Sequence, residues 1–326
     1  MLYPFTFQPI FKERVWGGRR LQSLYGKSLP AGAPIGESWE ISDRPEGVSV
    51  ITNGPLAGRD LRWLMEHHPA ELLGAAKPVS GRFPLLVKLL DAQDKLSLQV
   101  HPPASLAGQL GGEPKTEAWY VGDAEPHADI YVGLRKDTTR AEFERRLRDG
   151  SVADCFHRLP VSRGDAMFLP SGRVHALGAG SVIFEVQQNS DTTYRVFDWN
   201  RVGLDGKPRE LHVDAALASI AFDDFEPALV PAPLTETPTG HRRSLVEAPG
   251  VFRMSEERLR ADATVSFDHA GLFILGVVAG EIVLRGAAIE LTLPAGQFAL
   301  VPACVERIEV LAKTDATFLH AAPWIS

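Results

Sequence analysis

The sequence predicts an all-β protein with a few short helices, arranged as two jelly-roll barrels. Two features carry that prediction. Most of the chain consists of short apolar or alternating runs separated by Gly, Pro, Asn and Asp, the pattern of a sandwich or barrel. A frame of Gly, five residues and Pro runs from Gly164 to Pro170 and recurs from Gly296 to Pro302, as expected if one barrel is followed by a second of the same kind.

Taken in order, strands are predicted over 39–42, 48–52, 86–90, 96–101, 128–134, 166–169, 182–188 and 194–199. Asp60 can cap a helix carrying Leu61, Leu64 and Met65, which Pro69 breaks or restarts before Leu72 and Leu73. Thr139 followed by Glu142 resembles a capping box, with Gly150 ending the helix. Residues 211–220 are a third helical candidate, and Gly178 to Gly180 reads as a hairpin turn. Four prolines between Asp223 and Gly240 mark a linker. The expected organisation is therefore a catalytic barrel with helical insertions over 1–222, a linker over 223–241, and a second barrel over 242–326.

Composition bounds the function. A chain of 326 residues, 44% hydrophobic and 23% charged, can bury one large core or two ordinary ones. A net charge of −7 argues against a general nucleic-acid surface and leaves only local basic pockets for an anionic ligand. Cys155 and Cys304 are far apart and in no metal-binding spacing, so they read as buried free thiols in a reducing compartment. No apolar run reaches the length of a membrane span, and the first residues lack the basic start of a signal peptide. A cytoplasmic monomer or homodimer is expected.

Four potential metal ligands lie between Leu96 and His175. Leu96, Leu98 and Val100 alternate with Ser97, Gln99 and His101, so the three polar side chains leave one face of a strand. Lys115, Glu117 and Trp119 share a face in the same way. Two imidazoles, a carboxylate and an amide oxygen suit one borderline divalent ion such as zinc. Further along, Val182, Phe184 and Val186 form one face of a strand, and Ile183, Glu185 and Gln187 the other, toward the barrel interior. Taken singly, Gln99 or His101 reads as an ordinary strand residue; the combination carries the signal.

The segment ending at His175 follows Gly164 by five residues, Pro170, one residue, Gly172 and two residues, which resembles the second signature of the cupin superfamily. The first cupin signature normally supplies His-x-His and then Glu; here it reads Gln99-Val-His101, with Glu117 after an insertion. The order Gln-x-His-Pro, Lys-x-Glu, Val-His-Ala closely resembles the type I mannose-6-phosphate isomerases in their short bacterial form. Val15-Trp-Gly-Gly18, Gly36-Glu-Ser-Trp39, the run from Pro84 to Leu90, and Asn189-Ser-Asp-Thr-Thr-Tyr-Arg195 carry the same resemblance. It implies a metal held by Gln99, His101, Glu117 and His175, and proton transfer between C2 and C1 of a sugar phosphate through an enediol. Arg195 matches the family's active-site arginine, and Glu185 is a candidate base or else the partner of a buried Arg. Lys115, Ser97 and Arg195 are candidates for contacting phosphate or sugar oxygens. Lys88 is a further site cation or simply snorkels from an apolar strand. Long family members carry His-Lys-Pro-Glu where this chain has Pro114-Lys-Thr-Glu117, so a base role for that His does not transfer. At the position of His175 the second frame carries Arg307, so the second barrel is expected to lack the metal site. An iron-dependent oxygenase and a non-enzymatic sugar-phosphate sensor remain as rival readings.

Overall fold

In the computed structural model, which describes residues 2–231, 233–268, 271–287 and 289–325, two jelly rolls stand side by side. The first pairs a six-stranded sheet, in the order Ile10–Gly18, Ile35–Ile41, Leu85–Ala92, Ser181–Gln188, Glu117–Ala124 and Ala166–Leu169, with a five-stranded one. That second sheet runs Tyr194–Phe197, Leu98–Val100, His175–Leu177, Asp129–Leu134 and Phe156–Pro160. The other barrel repeats the arrangement with sheets of six and four strands. Among the described residues no helix is long and apolar enough to cross a membrane. His269, a histidine with no assigned role in the sequence, lies outside the described residues.

Local chemistry sets the boundaries. Asp60 accepts a hydrogen bond from the Trp63 amide at 2.7 Å and starts the helix Leu61–His67, and Pro69 opens a second short helix, Pro69–Leu73. Thr139 accepts from Glu142 N–H to begin Arg140–Asp149, which Gly150 ends in a left-handed turn. The third helix forms over Val213–Ser219. Two expectations fail. Residues 48–52 make only the two-residue strand Gly47–Val48 and isolated bridges, because Val50 and Ile51 pair with Asp60 and Phe7 instead of with one neighbouring strand. Gly178 to Gly180 is not a hairpin: the strands on either side belong to opposite sheets, so the turn carries the chain across the barrel.

The alternation in Ser181–Gln188 divides two cores. Val182, Phe184 and Val186 join Leu85, Val87 and Leu89 in an apolar layer shared with Phe252, Met254, Ile274, Phe298 and Leu319 of the second barrel. Ile183 faces the other way, against Trp16, Leu90, Trp119 and Val121 inside the first barrel. The barrels therefore pack large sheet against large sheet. A buried carboxylate, Glu256, reinforces the join by accepting from Tyr120 Oη at 3.3 Å while ion-paired to Arg243 and Arg258. The N-terminal segment crosses the same boundary, since Phe5 exchanges two backbone hydrogen bonds with Leu300.

Because the inter-barrel layer is as apolar as either interior, the two barrels should unfold in one transition. Phe298, whose ring lies 5.7 Å from that of Phe184, tests this. Phe298→Ala should cost about 3–5 kcal/mol and lower a single calorimetric transition. Two resolved transitions, with only one shifted, would contradict the shared core.

Candidate metal centre

Strand register brings the site together. In the smaller sheet of the first barrel, Gln99 lies between His175 on one side and Arg195 on the other, forming a row across three strands. In the larger sheet, Glu185 pairs with Lys88 on one neighbour and Trp119 on the other, and Gln187 pairs with Glu117. Gln99 and Arg195 from the first row and Lys88 and Glu185 from the second line a cavity of about 560 Å³, together with Ser97, Lys115, Glu37, Asp191 and Arg209. Every residue singled out for catalysis or substrate binding thus lies on one cavity, and of the candidate metal ligands Gln99 lines it while His101, Glu117 and His175 are buried next to its Gln99 and Lys115.

His101, Glu117 and His175 are at most 1% exposed, and one potential ligand atom from each lies within 4.8 Å of the others. His101 Nδ1–H donates to the Thr192 carbonyl at 2.8 Å and His175 Nδ1–H to the Arg173 carbonyl at 2.9 Å. Carbonyls only accept, so each neutral ring carries its proton on Nδ1 and turns the Nε2 lone pair inward. The Gln99 amide N–H, 3.3 Å from His175 Nε2, fits the same tautomer. Glu117 lies 3.2 Å from His175 and 3.6 Å from His101. Burial, reinforced by the Lys115 charge, pushes His101 down to about 3, so it brings no proton to the carboxylate. Burial opposes ionisation of Glu117, but Lys115 Nζ at 2.6 Å and the two imidazoles hold it well below the usual carboxylate range.

The result is a cluster with more acceptors than donors. His101 Nε2 and Glu117 Oε1 are buried with no hydrogen-bond partner. Unpaired buried acceptors cost a few kcal/mol each, which a cation between them would offset. Two imidazole nitrogens and a carboxylate fit a borderline divalent ion, and both rings have the outer hydrogen bond typical of metal-bound histidine. Gln99 needs one adjustment to complete the set: its Oε1 lies 3.5 Å from Ser97 Oγ, and the amide must turn for that oxygen to face the ion.

Around the cavity, carboxylates and cations are closely matched. Lys88 does not snorkel; it is 4% exposed, with Nζ 3.4 Å from Glu185 and 3.8 Å from both Glu37 and Asp191. Glu185 accepts from Trp119 Nε1–H at 2.8 Å, so its partners are a lysine and an indole, not a buried Arg. Burial and then the Glu117 charge raise the Glu185 carboxyl above its ordinary range. Glu37 is one residue that sequence reasoning missed. It accepts from Arg14 Nε and Trp39 Nε1, each at 2.7 Å, and against the penalty of burial Lys88 and Arg14 leave it at about 2. The signal was available in Gly36-Glu-Ser-Trp39, where period two puts Glu37 and Trp39 on one face. The glycines of those motifs allow this approach: a Cβ on Gly17 would lie 2.3 Å from the Gly36 nitrogen.

The second barrel keeps the frame and changes the residues. Leu169 opposes Glu117, and in the repeat Val301 opposes Phe273; His175 opposes Gln99, and Arg307 opposes Asp268. A buried phenylalanine thus stands at the carboxylate position and an exposed arginine at the imidazole position.

These features define a candidate cupin metal centre beside a cavity lined by both carboxylates and cations. The model of the phosphomannose isomerase type I catalytic domain matches residues 5–142. A probable mannose-6-phosphate isomerase of Bacillus subtilis is 40% identical over 236 residues, 71% of this chain and 72% of the relative. The mannose-6-phosphate isomerase of Streptococcus mutans is 41% identical over 218 residues, 67% of each chain. A crystal structure of a mannose 6-phosphate isomerase from Bacillus subtilis superposes with a TM-score of 0.89 at 30% identity, covering 98% of this chain and 99% of that one. The chain belongs to the type I mannose-6-phosphate isomerase family.

Purified protein should carry about one divalent ion per chain by elemental analysis, with none in the second barrel. His101→Ala or His175→Ala should each abolish that content, and a stoichiometric ion retained by His175→Ala would contradict the assignment.

Proposed function

We propose how the first barrel carries out the reaction that family membership assigns to the chain, the interconversion of mannose 6-phosphate and fructose 6-phosphate. The observation that carries the reading is the cluster of three buried, partly unpaired acceptors next to a cavity lined by the raised Glu185 carboxyl. Gln99, His101, Glu117 and His175 would hold the ion, and the mixed nitrogen and oxygen donors favour zinc. When bound, it supplies a Lewis acid that stabilises negative charge on the sugar oxygens.

Glu185 is assigned the proton transfer. Its carboxylate takes the C2 proton of the open-chain aldose, the C2 electron pair becomes the C1–C2 double bond, and the carbonyl pair moves to O1. Return of that proton to C1, with the O2 proton passing to O1, gives the ketose. Burial brings the carboxyl toward the pKa a base needs near neutrality, while Trp119 Nε1–H and Lys88 fix its orientation. Lys115 balances Glu117 and faces the substrate, and Ser97 stands beside Gln99 to meet a sugar hydroxyl. Arg195 presents its guanidinium to the cavity with Nη1–H anchored on the Glu210 carbonyl at 2.7 Å. The second barrel, with Phe273 and Arg307 at the ligand positions, is assigned a structural role.

Glu185→Gln should retain its metal yet lose about 10²–10⁴-fold in turnover and stop exchanging the C2 hydrogen with deuterated solvent. Normal exchange in that variant would remove Glu185 from the base role. Because the base acts ionised and its pKa is raised, kcat/KM should fall with decreasing pH about a midpoint above the ordinary glutamate value of about 4.3. A midpoint at or below that value would contradict the assignment.

A further inference from the structure

The two walls of the cavity differ in how their cations are spent. On the larger sheet, Lys88 sits among Glu37, Glu185 and Asp191, and Arg14 is 2.7 Å from Glu37. Among the described residues, every cation on that wall already faces a carboxylate, Lys115 included. On the other wall, Arg195 makes no ion pair among the described residues; its Nε is buried with no hydrogen-bond partner, and only the Glu210 carbonyl engages Nη1. Arg209 lines the same wall, and it shares the single buried carboxylate Asp198 with Arg201. Two guanidiniums thus share one inner carboxylate, and a third, Arg195, lies within its electrostatic reach without an ion pair to it. Other acids nearby are Asp94, exposed and 3.3 Å from Arg201, Asp205, whose side chain accepts the Lys207 amide, Glu210, exposed and favouring charge on Arg195, and Asp191, which faces Lys88 at 3.8 Å.

The loop that carries Arg209 is built to hold it there. Asp198 receives the guanidinium bidentately, Nε–H to Oδ2 and Nη2–H to Oδ1, both at 2.6 Å. The chain leaves Asp198 through Trp199 and Asn200, both left-handed at φ 55° and 54°, a conformation that costs energy for side chains other than glycine. It then turns tightly, with Gly203 N–H donating to the Lys207 carbonyl at 2.7 Å, and returns so that His212 N–H reaches the Arg195 carbonyl at 2.8 Å. The backbone of Arg195 and the loop bearing Arg209 are thus tied together, and the Arg209 charge, after burial, is the main influence disfavouring charge on Arg195. Like charges held side by side at a cavity wall need an anion.

We propose that Arg209, clamped by Asp198 and set beside Arg195, binds the substrate phosphate, while Lys88 is committed to its carboxylates and does not. The reading rests on the sugar-phosphate isomerase function above. It places the phosphate on the smaller sheet's side of the cavity and leaves the Glu185 side to the reacting carbons. The test uses the metal-loaded enzyme, with inorganic phosphate as a competitive inhibitor against mannose 6-phosphate. Arg209→Ala should raise both KM and the phosphate inhibition constant roughly 10- to 100-fold, the worth of hydrogen bonds to a charged group, with a smaller change in kcat and full metal content. Arg209→Lys, which keeps the charge but not the bidentate grip on Asp198, should fall between, and it serves as the test should the alanine variant fail to fold. Unchanged phosphate inhibition in these variants, even with kcat reduced, would reduce Arg209 to a structural role and overturn the proposal. A wild-type enzyme that turned over no mannose 6-phosphate would instead overturn the functional reading, and this subsite with it.

Discussion

Two histidines each commit Nδ1–H to a backbone carbonyl, and nearly everything else about the site follows. Once the Thr192 and Arg173 carbonyls fix the tautomers, both Nε2 lone pairs must point at Glu117. Lone pairs facing a carboxylate in a buried place are unfavourable unless a cation joins them. Lys115 reaches Glu117 at 2.6 Å but leaves His101 Nε2 without a partner. The fold must therefore hold the segments that supply those carbonyls as firmly as it holds the ligands. It does so for Thr192: Asn189 donates to the Phe83 carbonyl, and Thr192 Oγ1 accepts from the Glu113 amide. The run Asn189-Ser-Asp-Thr-Thr is thus a clamp on His101 as well as the lead-in to Arg195.

The same economy governs the barrel walls. Ser181–Gln188 is buried on both faces because a second barrel covers its outer side, and burial on both faces is what raises the Glu185 carboxyl. Removing the second barrel would expose Val182, Phe184 and Val186 and loosen the strand that aims Glu185. A barrel with no metal ligands can matter to the chemistry simply by keeping water off the back of the catalytic strand.

Much of this was legible in the residues. Period two in Leu96 to His101 and in Ser181 to Gln188 is a local property, so it correctly turned Gln99, His101 and Glu185 inward. The Gly-x5-Pro frame marks a turn followed by a strand, and both copies lead into the strand where a ligand or its replacement stands. What the sequence hid depends on contacts between distant segments. The interior partners of Lys88 come from three separate segments, so an isolated lysine in an apolar strand looks like a snorkelling one. Residues 48–52 have the composition of a strand but meet different neighbours one residue at a time. Arg209 lies in a loop with no periodicity, and only the fold shows that Asp198 turns it toward the cavity.

The central claim is that this buried cluster of acceptors works only around a divalent ion. A coupled assay converting mannose 6-phosphate to fructose 6-phosphate, run on protein stripped by chelator and then reconstituted with zinc, addresses it directly. Activity should vanish on stripping and return in proportion to bound ion, saturating at about one per chain. Full turnover by protein shown to be metal-free would contradict the claim.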